Sequence, residues 1–428
     1  MIDSLPLIAM VVALLLGVPI AFALAGAGIL GIWLVTGNLT TVISILGTTS
    51  FSTAATYIFT TIPMFILMAF FSSGAGLADD LYTASSNWLS HIRGGLAIAT
   101  VFACGIFGAM SGASVAAASV MSKVAMPSMR RYGYSEELAA GSIAVGATLD
   151  ILIPPSVAMV IYGIATETSI GKLLIAGVIP GVVLGIFLAL SIVVWVTISP
   201  SHAPKTHRVS WAERWKSSYR IWPSLLLILM VLGLLYTGIA TPTEVGAIGA
   251  CLSALIGICM GRLTWKGAIE ALEGTVRITA MIFMIIIGAS IFGYFMTLSQ
   301  VPQHMAGAIA EMNLNRWVVV TGIIVGYFII SMFMDEIPLL LITLPLTFPL
   351  VTSLGFDPIW YGVISIMMVC MGLVFPPVGM VAFVVSATAN VDLVKVYKGT
   401  SILIIAIFIT TLLVMVFPQL ALWLPSHM

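Results

Sequence analysis

Charge is what this sequence has least of. Lys and Arg number 16, Asp and Glu 16, so charged residues make up 7% of 428 positions and the net charge is zero. A soluble domain carries about 25% charged residues. Here 61% of residues are hydrophobic and the mean hydropathy is +1.18. No water-soluble fold hides that much apolar surface, so most of the chain belongs in lipid. Zero net charge argues against nucleic-acid binding. The five histidines are scattered, without metal-ligand spacing. The opening Met-Ile-Asp-Ser has no basic segment and its apolar run continues past residue 30, so a cleavable signal is not expected. The four cysteines, Cys104, Cys251, Cys259 and Cys370, all lie in apolar segments and read as small core residues, not as a disulfide or zinc framework.

What is present is a succession of apolar stretches near 20 residues, the length that crosses about 30 Å of hydrocarbon as a helix. They are too long and too apolar for the alternating strands of an outer-membrane barrel. The expected fold class is therefore an all-α polytopic membrane protein.

An internal repeat organises these stretches. A shift of 222 residues brings Pro127 onto Pro349, Gly133 onto Gly355, Pro154 onto Pro376 and Pro155 onto Pro377. Thirteen of the 16 basic residues fall in five places: Arg93; Arg130 and Arg131; Lys205 to Arg220; Arg262 to Arg277; Lys395 and Lys398. One threading puts all five on the cytoplasmic side, as the positive-inside rule asks. It gives a first repeat over 1–200, with helices over 4–36, a surface helix over 39–54 and a hairpin over 94–129. An amphipathic cytoplasmic linker follows over 201–220, its Trp211, Trp215 and Tyr219 set among Lys and Arg. The second repeat, 221–428, runs from the opposite side, with helices over 221–261, a surface helix over 263–277 and a hairpin over 317–349. Both termini are then periplasmic. Inverted repeats of this kind, with broken helices at mid-membrane, are a common plan of secondary transporters.

Four helix breaks carry the expected chemistry. They are Met110-Ser111-Gly112-Ala113-Ser114 at the first hairpin tip, Ile153-Pro154-Pro155-Ser156, Phe333-Met334-Asp335-Glu336 at the second tip, and Phe375-Pro376-Pro377-Val378-Gly379. Irregular backbone at membrane depth is tolerated only where it lines a cavity or is buried in protein. Proline frees a carbonyl; freed carbonyls and Ser hydroxyls suit a small hard cation such as Na+, and half-helix N-termini suit an anionic group.

At these residues the sequence resembles the large membrane (DctM-like) subunit of TRAP transporters. The matching runs are Gly108-Ala-Met-Ser-Gly-Ala-Ser-Val, Pro127-Ser-Met-Arg-Arg-Tyr-Gly-Tyr, Ile153-Pro-Pro-Ser-Val-Ala-Met-Val-Ile-Tyr-Gly, Thr237-Gly-Ile-Ala-Thr-Pro-Thr-Glu, Phe333-Met-Asp and Phe375-Pro-Pro-Val-Gly. They span essentially the whole chain in family order. The resemblance implies an elevator with a scaffold domain (4–54 and 221–277) and transport parts over 56–198 and 278–424. It implies co-transported Na+, a small four-helix membrane subunit and a periplasmic binding protein. The substrate would be a small organic anion, a carboxylate or sulfonate, or a zwitterion, crossing the inner-membrane bilayer. Carried over, the first sodium site points to Ser111, Gly112, Ser114, Asp150, Ile153 and Pro155. A looser second site involves Met334, Asp335, Phe375, Pro377 and Gly379. Ser156 and Lys123 are the substrate candidates.

The chain departs from the family pattern at several places. Lys123 stands where a small residue is usual, Asp150 replaces a glycine, and Ala117 takes a position that is often Asp. Phe375 replaces Thr and Met368 replaces Asn. Lys123 either pairs with Asp150, snorkels to the cytoplasmic face, or meets substrate. Of Asp335 and Glu336 only one is expected to face the site, because neighbouring helical residues diverge; Asp335 fits the motif. Glu244 either caps its helix or contacts substrate. Two rival functions remain at this point. One is a stand-alone sodium–anion symporter of the same fold. The other is an intramembrane protease using Ser111 or the pair Asp150 and Asp335, with no deep histidine to serve as base.

Overall fold

The computed structural model describes residues 4–204, 209–304, 307 and 314–428; Lys205 and Arg208 of the basic linker lie outside the described residues. Among them the regular structure is helical throughout. The first half holds α1 (Ser4–Leu15), α2 (Ile20–Thr36), α3 (Leu39–Ala55), α4 (Thr61–Gly74), α5 (Leu77–Leu89), α6 (Gly95–Ser111), α7 (Ser114–Arg131), α8 (Glu136–Ala147), α9 (Val157–Ala165), α10 (Ile170–Ala176) and α11 (Val178–Ile198). The linker helix α12 (Trp211–Arg220) follows. The second half holds α13 (Trp222–Thr237), α14 (Pro242–Cys259), α15 (Trp265–Ser299), α16 (Arg316–Ser331), α17 (Glu336–Ser353), α18 (Pro358–Gly372), α19 (Met380–Ala389) and α20 (Leu393–Val416). Six helical stretches of the described residues are long and apolar enough to cross a bilayer, and the α12–α13 pair, bent by 49°, makes a seventh if taken as one.

The halves interlock. Helix α2 packs on α15 while its counterpart α14 packs on α4, and the repeat mates of α4 lie within α15, so the contact is reciprocal. Glycines permit the close approach: Gly28 and Gly288 meet backbone of the facing helix, and Gly31 meets the Phe295 ring. A second group forms from α6–α11 with α16–α20, in which α8 crosses α20 at Gly141 and Gly399. Cys370, the repeat mate of Thr148, lies with its Sγ 3.6 Å from the Thr148 carbonyl, as expected of residues beside a pseudo-twofold axis.

Three expectations change. The expected transport parts begin at residues 56 and 278, yet α4 packs on α14 and α15, and α15 packs on α2, α3 and α4. By packing, both belong with α1–α3 and α13–α14. The surface helix over 263–277 is not separate either, since α15 runs unbroken for 35 residues. In the first half the extended Thr56 and the donor-less Pro63 divide α3 from α4; the mate of Pro63 is Ile285, which keeps its N–H and lets α15 continue. Finally, Cys104 and Cys370 are buried but Cys251 and Cys259 face outward from α14.

The surface helix α5 is held by the linker. A capping box of Ser210 and Glu213 starts α12, and Trp88 donates from Nε1 to Ser218 Oγ at 2.6 Å while its ring meets Trp211 and Trp215 edge-on. The outward faces of Trp211, Trp215 and Tyr219 stay exposed, as an interfacial helix requires. At the same end Glu136 accepts from Arg130 at 2.9 Å and from Lys395 at 2.8 Å, joining α7 and α8 to α20.

Candidate functional site

Each hairpin turns at an expected tip. Helix α6 ends at Gly112, whose φ of 62° is open to glycine and turns the chain into α7. Helix α16 ends at Ser331, and α17 starts at Glu336 with Asp335 as its N-cap. Each broken helix has an irregular stretch: a 3-10 turn and loop over 148–156 between α8 and α9, and 373–379 between α18 and α19. The Pro154-Pro155 and Pro376-Pro377 bonds are both cis.

In the first half the tip and the break meet around a carboxylate. Asp150 is fully buried and accepts a hydrogen bond from Ser114 Oγ at 2.6 Å through Oδ1, while Oδ2 has no partner. Gly108 makes room for it, because a Cβ there would lie 2.2 Å from the Asp150 Cβ. Gly112 lies over the Pro155 carbonyl, and Val157 N–H donates to the Gly112 carbonyl at 3.4 Å. Among the described residues neither the Ile153 nor the Pro155 carbonyl accepts a protein hydrogen bond. Ser111 is buried, its hydroxyl 3.5 Å from the Gly108 carbonyl. Of the sequence candidates, Ser114 on the tip thus bonds Asp150 on the break, Gly112 lies against the Pro155 carbonyl, and the Ile153 side chain packs at Gly105 of the same hairpin. Ser156 is buried beside them, with its hydroxyl engaged as the N-cap of α9.

The second half gathers its candidates differently. Gly379 N–H donates to the Met332 carbonyl at 3.0 Å, and Tyr397 donates its hydroxyl to the carbonyls of Pro377 (3.0 Å) and Val378 (2.7 Å). Phe375 packs its ring on Phe328. Met334 and Phe375 are half-buried and Pro377 is exposed. The choice between the two tip carboxylates reverses the expectation by burial. Asp335 is half-buried and occupied in capping, accepting from Glu336 N–H at 3.0 Å, whereas Glu336 is buried with Oε2 unpartnered. Tyr397 was not foreseen, since nothing in its local sequence marks it. Glu336 had a signal: the 222-residue shift carries Ser114 onto it.

Lys123 does not pair with Asp150. It is exposed on α7, and the described ion pairs of Asp and Glu do not include it. Glu244 resolves as a cap, its carboxylate accepting from Thr241 N–H at 2.7 Å.

Two cavities separate the helix groups. One of about 250 Å³ lies between α4, the middle of α15 and the first hairpin, and includes Ser111, Gly112 and Glu336 in its wall. Another of about 420 Å³ lies farther along α15, against α9 and α17.

Comparison with known proteins gives the same picture. The family described as "Tripartite ATP-independent periplasmic transporter, DctM component" matches residues 7–420. The C4-dicarboxylate TRAP transporter large permease protein DctM of Pseudomonas aeruginosa is 36% identical, over 88% of this chain and 88% of that protein. The ectoine TRAP transporter large permease protein TeaC of Halomonas elongata is 30% identical, over 97% of each. Among solved structures, the Alcanivorax borkumensis YdaH transporter superposes with a TM-score of 0.60 at 13% identity, covering 91% of this chain and 89% of that one, which shows a shared fold. The relatives are transport permeases, so the protease reading falls. This chain is a large multi-pass permease belonging to the DctM component family of tripartite ATP-independent periplasmic (TRAP) transporters.

Proposed function

We propose that the chain is the translocating subunit of a sodium-coupled importer of a small organic acid or zwitterion in the bacterial inner membrane. It works with a small four-helix membrane subunit and a periplasmic binding protein. The observation that carries the sodium assignment is the meeting of first tip and first break. A buried carboxylate with one unpartnered oxygen is bonded to the tip, and the break beside it carries two unclaimed carbonyls, which are the oxygen ligands a hard cation would use. The second tip is the weaker ion site, because Tyr397 already uses the Pro377 carbonyl.

Alternating access is by an elevator. The α6–α11 and α16–α20 group slides against α1–α4 and α13–α15, with the two inverted halves exchanging inward and outward roles. The two cavities between these groups, displaced from each other along α15, support that reading. The substrate class is supported by relatives named for C4-dicarboxylate, sialic acid, ectoine and isethionate. The partners are supported by the tripartite family and by the isethionate permease protein DctMQ, of which this chain covers only 65%. Both termini are placed outside by the distribution of basic residues.

The test is uptake into liposomes holding this chain and its small subunit, with and without an inward sodium gradient and with and without the binding protein. Uptake that requires both is expected. Sodium-driven uptake without the binding protein would mean a stand-alone symporter, and uptake indifferent to sodium would remove the ion assignment.

A further inference from the structure

The smaller cavity has room for more than an ion. Its volume of about 250 Å³ is several times the ~30 Å³ that one water occupies in the liquid. Its wall is mostly apolar, with the small polar groups of Ser73, Ser111 and Ser119, and Glu336 is the one charged side chain among its lining residues. That carboxylate is 5% exposed and its Oε2 has no hydrogen-bond partner.

The usual reason for an acid at a helix start is capping. Asp335 already fills that role for α17, so capping does not account for the Glu336 carboxylate, one oxygen of which has no partner. Its titratable neighbours, Asp335 and Asp150, are acids, and no basic side chain is among the residues that line the cavity. A substrate carboxylate placed against it would find no cationic partner there. A cationic nitrogen would supply the missing partner. Beyond the lining residues, Lys123 lies three and four residues past Val120 and Ser119, hence on the same face of α7, about 6 Å farther along from Ser119. It is exposed and unpaired among the described ion pairs.

We propose that Glu336 is the substrate-recognising carboxylate of this cavity, and that the substrate is a compact zwitterion, its cationic group against Glu336 and its acidic group toward Lys123. The proposal rests on the reading that this chain translocates a small organic solute, and it narrows that solute to one with both charges. Sodium is assigned to Asp150, which is fully buried and not part of the cavity wall.

The test uses the complete transporter, this chain with its small subunit and binding protein, in liposomes. Ectoine, taurine and glycine betaine serve as zwitterion probes, succinate and malate as dianions. Uptake of at least one zwitterion above both dianions is expected. Glu336→Gln, close in shape, is expected to lower kcat/KM for that zwitterion about tenfold or more, with the sodium half-saturation unchanged. Lys123→Ala should raise its KM. Variant folding is checked by thermal unfolding of the purified complex. A preference for dianions, uptake of no zwitterion, or unchanged zwitterion uptake by Glu336→Gln overturns the proposal. A variant that instead raises the sodium requirement makes Glu336 an ion ligand and also overturns it. Whether sodium drives whichever probe enters is read separately, so a failure of sodium coupling leaves the charge selectivity measurable.

Discussion

At the first hairpin tip the carboxylate, Asp150, stands on the broken helix and a hydroxyl, Ser114, stands on the hairpin. At the second tip the positions related by the 222-residue shift are Gly372 and Glu336, so the acid has moved to the hairpin. The space-making residue moves as well. In the first half Gly108 on the hairpin yields to Asp150, and in the second Gly372 on the broken helix yields to Ser331, where a Cβ would lie within bonding range of the Ser331 hydroxyl. The freed backbone is also treated differently. The Ile153 and Pro155 carbonyls stay unclaimed among the described residues, while Tyr397 takes those of Pro377 and Val378; the repeat mate of Tyr397 is Ile175, which has nothing to donate. One backbone plan thus supports two arrangements, a buried acid beside unclaimed carbonyls in the first half and a braced tip with an acid in a cavity wall in the second.

The largest effect should come from removing the first carboxylate. Asp150→Ala is expected to lower sodium-driven uptake about 10–100-fold or more, the scale of lost charge-assisted contacts, with the half-saturating sodium concentration rising. An equal loss from Asp335→Ala would erase the distinction between the tips. Next come the two glycines. Gly108→Ala and Gly372→Ala should each cost about 1–3 kcal/mol or more through overpacking, read as a lower Tm of the purified protein. Ser331→Gly should partly restore Gly372→Ala, because side-chain atoms are the nearest obstacle there. No side-chain change rescues Gly108→Ala, since the Asp150 backbone lies 2.7 Å from the added Cβ.

A double-mutant cycle on Lys123 and Asp150 sharpens the assignment of the acids. With no contact between them, their coupling should stay under about 0.5 kcal/mol; a large coupling would restore the ion pair that the sequence suggested. The smallest effect is expected of Tyr397→Phe, about 1 kcal/mol or less from the lost hydrogen bonds. Any gain of sodium binding at the second break in that variant would show that the tyrosine had closed an ion site.

Much of the fold was legible because the bilayer constrains sequence so strongly. Hydrocarbon demands apolar runs of set length and confines Pro and Gly to breaks, so both tips and both Pro-Pro interruptions stand at the expected residues. The misplacements have a common cause. Composition does not distinguish a helix lying on the membrane from the first turns of one that crosses it, so 263–277 read as separate until α15 showed one continuous rod. Nor does it say which neighbour a span will choose, and α4 turned out to pack with α14 and α15. At the site, the motif favoured Asp335 over Glu336, because sequence pattern records residue type and the burial of one carboxylate over its neighbour depends on how α17 is rotated.

The helical membrane fold, the duplication, the four breaks and the family are written in local chemistry: apolar length, missing N–H groups, flexible glycine and runs of adjacent residues. Which polar groups are satisfied emerges from the packing of distant segments. That Ser114 reaches Asp150, that Tyr397 claims the Pro377 carbonyl, that Lys123 stands outside the described ion pairs and that one Glu336 oxygen is buried unpartnered depend on segments tens to hundreds of residues apart arriving at one place. Hydrogen bonds act over about 3 Å, and no spacing along a chain fixes a distance that short between elements so remote.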